Sequence, residues 1–225
     1  MVGSTYPDPG PLRCPSDPEG QRSAVRPLSR RAVVLGAAAS LLAACTTTKP
    51  GQPIPEGRYA NEAYPVRPVD RSRFATSYRP ARVSLATGKP AGTVLVDTKA
   101  RHLLFIEDAD TVTRYGVAVG ASGHAWQGNA IVGRKAKWPA WHPTDDMHAQ
   151  TPGLPRRIEP GPANPLGARA LYLYAGGVDT LYRIHGTSEP WTIGTEASSG
   201  CIRMINEDII ELYDRVPVGA SVIVV

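Results

Sequence analysis

The sequence predicts a mainly β domain closed by one C-terminal helix, and three observations carry this. First, Thr93–Asp97, Arg101–Ile106 and Thr113–Val119 are short runs rich in β-branched and aromatic residues, parted by polar turns, which read as a meander. Second, Ala168–Tyr174 and Thr180–His185 repeat that pattern on either side of Gly176-Gly177-Val178-Asp179, a turn sequence. Third, a single helical stretch, Asn206 to about Arg215, follows a Gly-Cys turn. Asn206 is placed to cap it, Glu207 and Asp208 suit its first turn, and Pro217 and Gly219 end it. Ser221–Val225 is a last strand.

The rest of the chain divides around this domain. Residues 1–45 read as an export leader. Ser29-Arg30-Arg31-Ala32-Val33-Val34-Leu35 has the form of a twin-arginine signal, and the apolar run Ala32–Ala44 is too short to span a bilayer. Leu42-Ala43-Ala44-Cys45 has the form of a lipobox, with Cys45 as the lipidated first residue of the mature protein. This implies export to the periplasm as a lipoprotein anchored to the membrane through Cys45. Residues 46–91 are a Pro-rich tether followed by an irregular extension with scattered aromatics, expected to wrap on the domain. The folded domain is expected over 92–225. Within it, Gly120 to Pro165 has Trp, Pro, Gly and His but little periodicity, as in a lid or binding loop.

Composition excludes some classes of function. Beyond Cys45 there are 20 Lys and Arg against 17 Asp and Glu, a net +3. That is too weak a basic balance for a nucleic-acid partner, which needs a concentrated basic patch. Of the three cysteines, Cys14 lies in the leader and Cys45 would be acylated. Cys201 is then the one thiol of an exported chain, with no partner for an internal disulfide.

Chemistry concentrates around that thiol. His185-Gly186-Thr187 is followed by Ser198-Ser199-Gly200-Cys201-Ile202-Arg203, so an imidazole stands sixteen residues before a thiol that follows a glycine. A thiol becomes a strong nucleophile near neutral pH when a base takes its proton. Gly200 permits close approach of the backbone to a substrate. The segment resembles the active-site signature of the L,D-transpeptidases, the family with the YkuD catalytic domain. Those enzymes carry a His-Gly pair, a similar spacer, then Ser-His-Gly-Cys-(Ile/Val)-Arg; Ser199 here stands where most members have His.

The resemblance implies a YkuD-like fold, in which curved sheets pack together and the Cys loop meets a helix. It also implies acyl transfer on peptidoglycan stem peptides. Cys201 would attack the diaminopimelate–D-Ala bond, His185 would be the base, and a thioester would pass to an amine. The acceptor would be a second stem, giving a 3-3 cross-link, or a Lys of an outer-membrane protein. The backbone N–H groups of Ser199, Gly200 and Cys201 would face the oxyanion. Arg203 is expected either to clamp a substrate carboxylate or to brace the Cys loop. Gly186, Trp138 and Trp141 are expected to line the substrate site, with His124 and Trp126 at its rim. His102, inside a strand run, reads as structural.

No cofactor is expected. His142 and His148, with Asp145 and Asp146 between, match no short zinc pattern, so no metal is expected. Other readings are a carboxypeptidase or endopeptidase using water, a non-catalytic wall-binding lipoprotein and, less favoured, a zinc peptidase.

Overall fold

The computed structural model describes residues 57, 59–121 and 126–225. The leader with Cys14 and Cys45, most of the tether, and His124 lie outside them. Among the described residues no helix is long and apolar enough to cross a membrane.

Among the described residues nine strands and two α-helices make up the fold. In chain order they are β1 (Ala81–Ser84), β2 (Val94–Asp97), β3 (His102–Ile106), β4 (Thr111–Gly116), β5 (Gly128–Lys137), α1 (Asp145–Gln150), β6 (Arg169–Ala175), β7 (Val178–His185), β8 (Ile202–Arg203), α2 (Asn206–Arg215) and β9 (Ser221–Val224). The strands form one sheet in the order β1-β4-β3-β2-β9-β5-β6-β7-β8. Pairing is antiparallel except between β2 and β9 and between β7 and β8.

The sheet curls upon itself. β4 and β8 are seven strand spacings apart in that order, roughly 34 Å if the sheet were flat. Yet Ala118, just past β4, forms a bridge with Arg203 of β8, with N–H to carbonyl distances of 2.8 and 2.9 Å in the two directions. Gly120 forms another bridge with Ser198. Residues from both ends of the sheet therefore share one core: Val94 and Val96 of β2, Tyr115 of β4, Leu171 and Leu173 of β6, Ile184 of β7 and Ile202 of β8. Ile209 and Leu212 of α2 close it. The C-terminal end of α2 is capped by Lys135, whose Nζ donates to the carbonyls of Tyr213 and Val216 at 2.5 and 2.6 Å.

Several elements depart from the sequence-based expectation. β5 occupies much of the first half of the stretch expected to be a loop. Its period-two pattern is broken by a bulge between Val132 and Arg134, where Gly133 lies against the Tyr174 ring, so Ala130 and Val132 share the core without a continuing alternation. α1 also lies in that stretch, capped by the Thr144 hydroxyl. β1 belongs to the supposed irregular extension and pairs with β4 at the sheet edge. The expected run Thr113–Val119 divides, because its end leaves β3 to bridge to the Cys loop. α2 has the expected bounds, but Asn206 is its first helical residue and Ile205 is the cap position, without a side-chain bond.

The extension before β1 is tied to the domain by charge. Arg169, 2% exposed, donates to both oxygens of Glu62, and Trp138 Nε1 donates to Glu62 Oε2 at 2.8 Å. Arg71 forks onto Asp208 at 2.8 and 2.9 Å. Burial holds the Asp208 carboxyl up at about 6 despite that guanidinium, with Glu207 and Glu211 adding to the rise.

Candidate active site

β7 and β8 build the site. Ile184 pairs with Ile202 and His185 with Arg203, so the parallel register sets Cys201 beside Arg183, one step before. Ile184 and Ile202 point into the core. The alternation of strand side chains therefore puts Arg183, His185, Cys201 and Arg203 together on the opposite face.

His185 is 4% exposed. Its Nδ1 lies 2.5 Å from the Gly186 carbonyl oxygen, which can only accept. Nδ1 therefore carries the proton, and in the neutral ring Nε2 holds a free lone pair. Burial lowers the imidazole to about 4, with the Arg203 and Arg183 guanidiniums acting in the same direction against the Gly186 carbonyl. Cys201 is half-buried and is the one free cysteine among the described residues. Burial pushes its thiol up; the Arg183 backbone N–H and the two guanidiniums pull the other way. Near neutral pH the resting pair is thus an uncharged thiol and an uncharged imidazole.

The Cys loop is held by Ser198, 8% exposed. Its Oγ donates to the Cys201 carbonyl at 2.5 Å and accepts from the Gly200 N–H at 3.2 Å. Gly200 has φ of +126°, a conformation that favours glycine. The expectation that the Gly200 N–H faces an oxyanion is corrected here, since that N–H is bonded within the turn. Ser199, by contrast, is exposed.

Asn206 locks the histidine segment from the helix. Its Oδ1 accepts from Ala168 N–H at 2.9 Å and its Nδ2 donates to the Thr187 carbonyl at 3.0 Å. A Cβ at Gly186 or Gly167 would overlap Asn206 Oδ1, so Gly186 is required by close packing.

Arg203 Nη1 lies 3.0 Å from Glu189 Oε2. It is held by a carboxylate of its own chain, and not by the backbone carbonyls of the bracing alternative. Trp138 is corrected outright: at 6% exposure it packs with Val66, Ala168 and Ile210, edge-on to Tyr64, and lines no open surface. Trp141 is half-buried and bridges Ile158 through its backbone. Trp126 stacks on Tyr182 with centroids 5.6 Å apart. His102 bonds the Ser77 carbonyl at 3.0 Å and leans on Tyr78, a structural placement. Among the described residues no three His, Cys, Asp or Glu side chains gather as metal ligands would.

The L,D-transpeptidase catalytic domain, YkuD, matches residues 91–224, more than half of the chain and every strand and helix from β2 to β9. The chain belongs to this family of acyl-transferring enzymes. The probable L,D-transpeptidase ErfK/SrfK of Escherichia coli is 35% identical over 137 residues, covering 58% of this chain and 43% of that protein. The putative L,D-transpeptidase YqjB of Bacillus subtilis is 34% identical over 134 residues, covering 58% of this chain and 69% of that one. The match thus spans less than half the length of the E. coli relative. A solved Brucella melitensis chain, described as a probable carnitine operon oxidoreductase caia, is 46% identical, covers 67% of this chain and 96% of that one, and superimposes with a TM-score of 0.47.

Sequence reasoning missed Ser198, Arg183 and Glu189. Ser198 and Ser199 are adjacent hydroxyls, and only the turn geometry tells which one points inward. Arg183 had a usable signal: it stands two residues before His185, on the same strand face.

Proposed function

We propose that this protein is an L,D-transpeptidase of peptidoglycan with Cys201 as nucleophile and His185 as base. The observation that carries the reading is the tautomer of His185. A buried imidazole with Nδ1–H fixed on a backbone carbonyl has Nε2 ready to accept a proton, on the sheet face that bears the chain's one described thiol.

The thiol gives its proton to His185 Nε2 as Sγ attacks the carbonyl of the diaminopimelate–D-Ala bond. The tetrahedral oxyanion takes the N–H groups of Cys201 and Ser199; a donor of this kind is worth ~3–4 kcal/mol where its removal has been measured. The C–N bond breaks, D-Ala leaves with the proton from His185, and a thioester remains. An acceptor amine then attacks the thioester, loses its proton to His185, and the C–S bond breaks. Sγ recovers that proton. Because the resting pair is uncharged, proton transfer accompanies attack instead of preceding it.

The domain of residues 92–225, with β1 and the docked segment before it, performs this chemistry, carried by the Pro-rich tether from a leader ending at Cys45. Lipidation of Cys45 would hold the enzyme at the membrane, facing the periplasm and its wall. A stem amine or a Lys of an outer-membrane protein serves as acceptor.

Intact-protein mass spectrometry with a tetrapeptide donor tests the reading. A covalent adduct, loss of D-Ala, and neither with Cys201→Ala are expected, as is labelling of Cys201 by a carbapenem. Product release by Cys201→Ala at the wild-type rate refutes it.

A further inference from the structure

The face that carries Cys201 holds a row of side chains running across four neighbouring strands. Arg134 of β5 pairs in register with Tyr172 of β6, Tyr172 pairs with Arg183 of β7, and Arg183 stands beside Cys201 at the start of β8. Tyr172 belongs to the outer face, since its neighbours Leu171 and Leu173 point into the core. Its ring is covered by two guanidiniums: Arg134 Cζ lies 3.5 Å from the ring centroid and Arg183 Cζ 4.4 Å.

Three guanidiniums thus share the face with the thiol, and their partners differ. Arg183 forks onto Asp179 at 2.7 and 3.0 Å and also donates to the Tyr182 carbonyl. Arg203 is paired with Glu189. Arg134 is exposed and has no carboxylate or carbonyl partner among the described residues, and its guanidinium lies over the Tyr172 ring. A guanidinium stacked on a ring uses its flat face and leaves the N–H donors along its edge available. Those donors form a fork that matches a carboxylate. The stack also holds the fork in place before any ligand arrives, which lowers the ordering cost of binding.

We propose that Arg134 is the carboxylate-recognising residue of the acyl-donor site. It engages a free carboxylate on the donor that lies away from the scissile bond, the role that Arg203 would fill were it not paired with Glu189. This deepens the proposed transpeptidase function and rests on it. The position defines the ligand. The Tyr172 ring beneath Arg134 is two strand spacings from β8, roughly 10 Å, and an extended peptide covers ~3.3–3.6 Å per residue. The carboxylate recognised therefore belongs to a residue about three positions or fewer from the attacked carbonyl. We assign it to the part that stays bound as the thioester, where Arg134 would hold the donor through both half-reactions, and an amidated donor separates it from the carboxylate of the leaving residue.

The test pairs Arg134→Gln and Arg134→Lys with two tetrapeptide donors, one with its internal side carboxylate free and one with that carboxylate amidated. Thermal melting is followed alongside to show that each variant is folded. In the wild type, amidation is expected to raise KM about tenfold or more with little change in kcat, the range for a lost charge-assisted bond. Arg134→Gln is expected to impose the same rise on the free donor and none on the amidated donor. Arg134→Lys falls between, keeping the charge but not the fork. Equal effects of Arg134→Gln on both donors, or none on either, overturn the assignment of Arg134 while wild-type turnover continues. Absence of turnover by the wild type with either donor refutes instead the transpeptidase reading beneath it.

Discussion

Replacing Asn206 by Ala should unlatch the histidine segment, and the structure sets the scale. The amide makes two bonds to backbone groups, from Ala168 N–H and to the Thr187 carbonyl. Ala168 is fully buried, so its N–H has no access to replacement water. Leaving such a donor unpaired costs ~1–3 kcal/mol, and losing the second bond adds ~0.5–1.5 kcal/mol. A total of about 1.5–4.5 kcal/mol follows, or roughly 3–18 °C in melting temperature for a domain of this size. Activity should fall further than stability alone explains, because Gly186 and Thr187 directly follow His185 and their backbone sets the tautomer. Asn206→Asp separates the two bonds: it keeps the acceptor for Ala168 N–H, turns a carboxylate toward the Thr187 carbonyl, and gains from the helix N-terminus. It should melt between wild type and Asn206→Ala at neutral pH. On acidification its protonated form regains a donor for Thr187, so its deficit should narrow while that of Asn206→Ala does not. Thermal unfolding by circular dichroism, with acylation rate measured well below the transition, gives both quantities. A melting point for Asn206→Ala within 2 °C of wild type, with an unchanged acylation rate, would show that the amide positions nothing.

Three other outcomes are expected. Acylation should be nearly flat with pH between about 5.5 and 7.5 and fall as pH drops toward about 4, because the base must be uncharged and its folded value lies near 4; a rate still rising steeply through pH 6.5 contradicts this. The same shift bears on stability: His185 binds its proton less readily folded than unfolded, so its contribution is present above pH 6.5 and lost as pH falls from 6.5 to 4, while Asp208, raised to about 6, acts in the opposite sense below pH 6. His185→Gln should therefore lose less stability than wild type between pH 7.5 and 4.5 in urea unfolding. Ser198→Ala should slow acylation more than Ser199→Ala, because Ser198 makes both bonds that shape the Cys turn and Ser199 points to solvent; the reverse order would restore Ser199 to the chemistry. Glu62→Ala should cost ~3–5 kcal/mol by stranding the buried Arg169 guanidinium, whereas Arg82→Ala, on an exposed pair with Glu107, should cost ~1 kcal/mol or less, as denaturant midpoints would show.

What the sequence disclosed was local. β2 and β3 were legible because apolar, β-favouring runs and polar turn residues agree, and α2 because its acidic first turn and its Pro-Gly ending bracket an apolar stripe. The His185–Cys201 pair was legible because both residues are reactive types in one motif. β5 was hidden by Gly133 and its bulge, which break the period of two. The burial of Trp138 was hidden because it depends on Tyr64 and Glu62, more than seventy residues earlier. Likewise, that Arg203 faces Glu189 while Arg134 faces no carboxylate among the described residues follows from side-chain reach across strands, which spacing along the chain does not encode.

The curl of the sheet has a kinetic consequence for the thiol. The bridge between Ala118 and Arg203 joins residues 85 apart in sequence, and the β2–β9 pairing joins Val94 to Val222, 128 apart. Contacts of such long range form late, since the chain entropy of the enclosed loop is lost before the contact repays it. Cys201 therefore spends the early stages of folding as an ordinary solvated cysteine, open to alkylation and oxidation. The β7–β8 pairing, between residues only 18 apart, sets His185 on its face, and the long-range contacts complete the fold around the pair. In refolding, its protection from a thiol reagent should lag behind the recovery of β structure.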